Sequence, residues 1–166
     1  MSIKFSADEI LKIAEKIEEN GAAFYRRAAE LHPEGHNKDF LNKLAAMEDT
    51  HLETFAQMRT QLSEKEREGT AYDPMDESLM YLKTLANQHG GEGAPDVAAS
   101  LTGEESMEEV LNTAIGLEKK SILFYLGVKD MVPAKLGGDK IDHIIEQEKG
   151  HLVELSRELN AVRKGA

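Results

Sequence analysis

Two short segments of the sequence share the pattern Glu-x-x-His: EDTH, Glu48 to His51, and EKGH, Glu148 to His151. Residues three apart in a helix lie one turn apart on the same face, so each segment would present a carboxylate and an imidazole together. Both groups bind metals, and an ionised carboxylate is costly to bury unless a cation pairs with it. The pattern therefore predicts either a metal site or a buried polar layer.

Both pairs interrupt apolar stripes, which places them in a helical core. At about 100° per residue, Glu48 and His51 share a face with Leu44, Met47, Phe55, Met58 and Leu62. Glu148 and His151 share one with Ile141, Ile144, Ile145, Leu152, Leu155 and Leu159. Glu18 lies within an earlier stripe, and Glu118 occupies the matching place in a third segment. Four acids and two histidines are therefore expected to converge.

The two halves of the chain repeat with an offset of 100 residues. The positions that recur are Ser6, Leu11, Ala14, Glu18, Phe24, Tyr25, Pro33, Glu48, His51 and Leu52. This spacing is much longer than the period of a solenoid, so it indicates two pseudo-symmetric helical hairpins.

Charge balance favours metal over other partners for these acids. Four buried carboxylates would carry four negative charges, which two divalent ions with neutral histidines would balance. Lys119 and Lys120 point about 100° and 200° away from Glu118 around the helix, so neither aims at the centre. Four carboxylates with two imidazoles suit iron, manganese or zinc better than magnesium. A core layer of protonated carboxyls and histidines is the alternative.

Helical periodicity covers four long segments, roughly 6–32, 36–68, 105–132 and 138–163, with a weaker short one near 76–89. Ser6 and Ser106 precede acidic residues and predict helix N-caps. Pro33 and Pro133 predict turns. The connection at about 69–105 includes the Gly-rich stretch NQHGGEGAPD and suits a crossover along a bundle. We predict a single all-α domain, 1–166, folded as an antiparallel four-helix bundle of two hairpins.

Composition excludes several function classes. The formal charge of −11 over 166 residues disfavours nucleic acid and anionic membranes as partners. With no cysteine, the sequence cannot form disulfides, thiolate metal sites or a cysteine nucleophile. No apolar run approaches the roughly 20 residues that span a bilayer, and the first residues have an amphipathic rhythm unlike a signal peptide. A cytoplasmic location is expected.

These residues resemble the ferritin-like di-iron family, and within it rubrerythrin. That group carries one Glu on each of two helices and Glu-x-x-His on each of the other two. EENGAAFYRRAAE and LEKKSILFY are also similar to rubrerythrin-type first and third helices. The resemblance implies two iron ions, bridged by Glu48 and Glu148. It further implies terminal ligation by the remaining matched residues, Glu18, Glu118, His51 and His151.

Two departures from rubrerythrin bear on activity. Ser121 stands where peroxide-reducing rubrerythrins carry a further Glu, and these 166 residues contain no cysteine, so a rubredoxin-like domain is not expected. Electrons would then come from a separate protein. Tyr25 and Tyr125 each follow a predicted ligand by seven residues, two turns along the same face, so either hydroxyl could hydrogen-bond a ligating carboxylate and act in the chemistry from there.

The resulting expectation is a redox-active di-iron protein that acts on oxygen or peroxide, as in oxidative-stress defence. A first alternative is oxidation and handling of ferrous iron, as in bacterioferritin. A second is a non-catalytic helical interaction protein. A homodimer is expected, with hairpins that could exchange between chains near Gly90.

Overall fold

The computed structural model of the protein describes residues 6–33, 35–67, 95–129, 135 and 138–165. Four long helices dominate: α1 (Ala7–Leu31), α2 (Gly35–Thr60), α5 (Met107–Val128) and α6 (Gly138–Gly165). Two short helices are α3 (Glu64–Arg67) and α4 (Pro95–Ser100). These residues contain no strand, and none of their helices is long and apolar enough to cross a membrane. The predicted all-α fold is confirmed.

The first helix of each hairpin begins with a capping box. Ser6 Oγ accepts the backbone N–H of Glu9 at 3.1 Å, and the Glu9 carboxylate accepts the N–H of Ser6 at 2.8 Å. Ser106 and Glu109 repeat the arrangement at 3.2 and 2.8 Å. Such a cap contributes about 1 kcal/mol to helix stability. Both caps were predicted from the serine positions and are confirmed.

The predicted end of the second helix was wrong. Periodicity carried it to 68, but α2 ends at Thr60. The Ser63 N–H and Oγ both donate to the Glu66 carboxylate, at 2.9 and 2.6 Å, so a new cap starts α3. Leu62 remains in the core from the turn, at 6% exposure. An apolar side chain can thus continue a periodic pattern after the helix itself has stopped.

Other boundaries differ less. The third long helix is described as far as Val128, and its predicted end at 132 lies outside the described residues. The predicted short helix near 76–89, the turn at Pro133 and most of the crossover at about 69–105 lie outside the described residues. The described part of that crossover contains α4, which packs against α1.

Ion pairs at the helix ends show that the helices of each hairpin are antiparallel. Arg59 at the end of α2 bonds Asp8 at the start of α1, with Nε 3.0 Å from Oδ1. Lys129, just after α5, bonds Asp142 near the start of α6 at 2.8 Å. Between hairpins, Lys43 Nζ of α2 lies 2.8 Å from Glu154 of α6. The four helices therefore form one bundle of two hairpins.

Among the described residues, the core consists of two apolar clusters that are separated along every long helix. One cluster contains Ile10, Ile13, Ile17, Phe55, Met58, Ile122, Ile141, Ile144 and Ile145. The other contains Phe24, Ala28, Leu41, Leu44, Val110, Leu111, Ala114, Leu155 and Leu159. On each helix the two sets leave a short gap between them. The polar residues singled out from the sequence lie in these gaps.

Candidate metal centre

Each long helix contributes an acid to one polar layer across the middle of the bundle. Glu18 comes from α1 and Glu118 from α5, while α2 and α6 supply the two Glu-x-x-His pairs. All four carboxylates are fully buried, and the two imidazoles are at most 2% exposed. The structure thus brings together all six predicted ligands: Glu18, Glu48, His51, Glu118, Glu148 and His151.

The layer divides into two groups that could each hold a metal ion. In each group, the four ligand atoms lie within 4.8 Å of one another. Glu18 and His51 belong only to the first group, and Glu118 and His151 only to the second. Glu48 and Glu148 belong to both. A residue shared by two adjacent ion positions is placed to bridge them.

Both histidines turn Nδ1 toward the carboxylates. His51 Nδ1 lies 2.9 Å from Glu148 and 3.2 Å from Glu18. His151 Nδ1 lies 2.8 Å from Glu148 and 3.3 Å from Glu48. The two rings stack with centroids 5.7 Å apart and planes 22° apart. One nitrogen of each ring therefore faces the space that the acids enclose.

The two tyrosines cross between hairpins. Tyr25 of α1 donates a hydrogen bond to Glu118 Oε1 of α5, and Tyr125 of α5 donates one to Glu18 Oε1 of α1. Each hydroxyl thus bonds a predicted ligand, as the spacing suggested, and this ligand is the acid of the opposite hairpin. Because α1 and α5 pack antiparallel, each tyrosine lies at the same height in the bundle as the glutamate that it bonds. Both tyrosines are fully buried.

The carboxylates of the layer raise the pKa of both imidazoles. Burial lowers the pKa of His51, but hydrogen bonding with Glu148 and Glu18 outweighs this and raises the pKa to about 12. Burial also lowers the pKa of His151, and Glu118 and Glu148 together raise it to about 10. The pKa of Glu118 rises to about 8 through burial and the charge of Glu148. The carboxylates therefore attract positive charge, as protons or as cations.

The donor atoms of the layer also fit metal ions. Within the described part of the chain, Glu118 Oε2 and His151 Nε2 have no hydrogen-bond partner, although both atoms are buried. Buried polar atoms normally form hydrogen bonds, because a buried polar atom without a partner costs about 1–3 kcal/mol. Ions among these carboxylates and imidazoles would satisfy them. Oxygen and imidazole donors suit iron, manganese or zinc.

Neighbouring residues are consistent with this centre. Lys119, Lys120 and His143 are exposed at the bundle surface, away from the layer. Ser121 is buried at 1% exposure and donates to the Leu117 carbonyl at 3.3 Å.

Sequence reasoning missed one contact of the layer. Gln147 Oε1 lies 3.2 Å from His51 Nε2, across the interface between α6 and α2. A glutamine next to Glu148, where the other half of the repeat has Met47, was the available signal.

An antiparallel four-helix bundle with a central layer of four glutamates and two histidines defines a candidate dinuclear metal protein. A crystal structure from Thermotoga maritima, of a protein provisionally described as ferritin-like and diiron-carboxylate, is similar to this chain. It shares 26% sequence identity at a TM-score of 0.69, over 96% of this chain and 98% of the other. The fold is therefore a ferritin-like bundle. No protein-family model and no curated protein matches the sequence.

Proposed function

We propose that this protein is a non-haem di-iron oxidoreductase, similar to rubrerythrin, that reduces oxygen or peroxide. The observation that carries the proposal is the sharing of Glu48 and Glu148 by two four-ligand groups. Iron is favoured over manganese or zinc by the similar Thermotoga protein, which is described as diiron-carboxylate.

The ligand roles follow from the two groups. Glu18 and His51 would hold one ion, Glu118 and His151 the other, and Glu48 and Glu148 would bridge them. When bound, two iron ions supply the exchange of two electrons with a small oxidant. Tyr25 and Tyr125 hold hydrogen bonds on Glu118 and Glu18 that orient these carboxylates.

Burial limits the substrate to small molecules. Every predicted ligand is at most 2% exposed, so a reactant must pass through the packed bundle to reach the centre. Dioxygen and hydrogen peroxide are small enough for such a path. Reduction of one hydrogen peroxide to two waters consumes two electrons and two protons. The electron donor that we propose is a separate protein. The assembly we propose is a homodimer in the cytoplasm.

Metal content per chain tests the centre itself. Purified protein is loaded anaerobically with ferrous iron, separated by gel filtration and measured by elemental analysis. We expect two irons per chain in the parent and a clear loss in the Glu148→Ala, His151→Ala variant. Glu146→Ala is the matched control, since Glu146 lies on the same helix with its side chain 68% exposed. No iron in parent or variant would refute the di-iron proposal and leave a polar core layer.

Turnover then tests the reaction. The iron-loaded protein should reduce hydrogen peroxide slowly or not at all alone, and faster when an electron-donor protein or chemical mediator is added. Rapid turnover without any mediator would contradict the need for an external donor. Ferric iron retained in a large shell on gel filtration would replace the reductase proposal with iron handling.

A further inference from the structure

The two histidines of the centre differ in what holds their outer ring nitrogen. His51 Nε2 lies 3.2 Å from Gln147 Oε1. His151 Nε2 has no hydrogen-bond partner among the described residues, although the ring is only 2% exposed. The position that matches Gln147 in the other half of the repeat is Met47. A thioether is a weak acceptor, so Met47 offers little in place of the amide.

This difference acts on metal affinity through the tautomer of the ring. An imidazole binds a metal through a nitrogen that carries no proton, and the other nitrogen then keeps the proton. The Gln147 oxygen accepts that Nε2 proton from His51 and so directs Nδ1 toward the carboxylates. It also fixes the rotation of the ring. Groups that support a ligating histidine in this way typically change metal affinity by about 10–100-fold.

The ligands themselves do not distinguish the two positions. Each group contains three glutamates and one histidine, and both groups share Glu48 and Glu148. Each terminal glutamate also accepts one tyrosine hydrogen bond. The supporting group behind the histidine is therefore one difference between two positions that have the same types of ligand.

We propose that Gln147 is a positioning residue that makes the metal position of Glu18 and His51 the tighter of the two. A single divalent ion fills this position first, and the position of Glu118 and His151 fills at higher concentration. The inference rests on the proposed dinuclear centre but not on its reactivity. It implies a stable one-metal state of the protein.

Titration of the metal-free protein with cobalt(II) tests the inference, because bound cobalt is detected by its visible absorption and the measurement does not require turnover. Calorimetry and absorption should show two binding steps whose dissociation constants differ by about 10–100-fold. Gln147→Met should weaken the tighter step until the two merge. Met47→Gln should instead strengthen the weaker step, which tests the inference even if Gln147→Met fails to fold.

The control is Gln57→Met, the same substitution at an exposed site on α2, which should leave both steps unchanged. Two cobalt ions bound with equal affinity, and unaltered by either Gln147→Met or Met47→Gln, would overturn this inference and leave the dinuclear centre intact. No cobalt bound by the parent protein would overturn both.

Discussion

Replacing Tyr125 by Phe removes one hydrogen bond from the centre while keeping the packing of the ring. The Tyr125 ring lies 5.3 Å from that of Phe55 and 5.7 Å from that of Phe124, and a phenylalanine preserves both contacts. The lost hydroxyl leaves Glu18 Oε1 without that donor. Both residues are fully buried, so water cannot readily replace the hydroxyl.

The expected cost follows from the charge of the acceptor. A hydrogen bond to a charged group contributes about 1.5–3 kcal/mol. For a chain of this size each kcal/mol shifts the melting temperature by about 2–4 °C, so the metal-free variant should melt roughly 3–12 °C below the parent. Circular dichroism during heating measures this shift. Tyr25→Phe, at the pseudo-symmetric position, removes the corresponding hydrogen bond to Glu118 and should also lower the melting temperature.

Metal content separates this role from a direct ligand role. Glu18 is retained in Tyr125→Phe, so the iron-loaded variant should still hold two irons per chain. Its reduction potential should fall, because a carboxylate without the phenol donor gives more electron density to ferric iron. An unchanged melting temperature would refute the hydrogen-bond argument. Loss of both irons would show that the tyrosine is needed to build the centre.

Two further predictions concern the ends of the helices. Ser6→Ala should cost about 1 kcal/mol, because it removes the acceptor of the α1 capping box, and thermal denaturation would show it as a lower melting temperature. Arg59→Ala should destabilise the α1–α2 hairpin in a pH-dependent way. Burial raises the pKa of Asp8, but hydrogen bonds from Lys12 and Arg59 outweigh this and lower it. The stabilisation from Asp8 is therefore complete above its unfolded pKa, near 3.9, and is lost as the pH falls through the lower folded pKa. Urea unfolding at pH 7 and pH 3 should show a larger difference between parent and Arg59→Ala at pH 7, and an equal difference would contradict this account.

The sequence predicted which residues share the centre because helical geometry fixes their directions. At 3.6 residues per turn, Glu48 and His51 must lie on one face, and the apolar residues around them show which face is buried. The repeat then extends the same argument to Glu148 and His151. The partners of the tyrosines could not be predicted in the same way. They depend on how far α1 slides along α5, which is set by packing between hairpins.

Two other features could not be predicted from the sequence. One depends on a contact between residues distant in sequence, and the other on competition between two local signals. Gln147 is polar and only partly buried, so nothing in the periodicity of α6 indicates that its amide reaches His51. The end of α2 had a local signal, since Ser63 and Glu66 have capping-box spacing. The apolar pattern that continues through Leu62 masked this capping signal. The apolar periodicity shows which residues are buried, and buried residues can continue beyond the end of the helix.

The polar layer also explains how two similar hairpins are held in one register. The contacts from Tyr25 to Glu118, from Tyr125 to Glu18 and from His51 to Gln147 all cross between hairpins. An apolar interface can slide with modest loss, whereas a shift of one turn here would leave buried carboxylates without donors. Only the native register provides the hydrogen bonds that offset the free-energy cost of burying the acids. The same residues that would bind metal thus specify how the halves of the bundle dock.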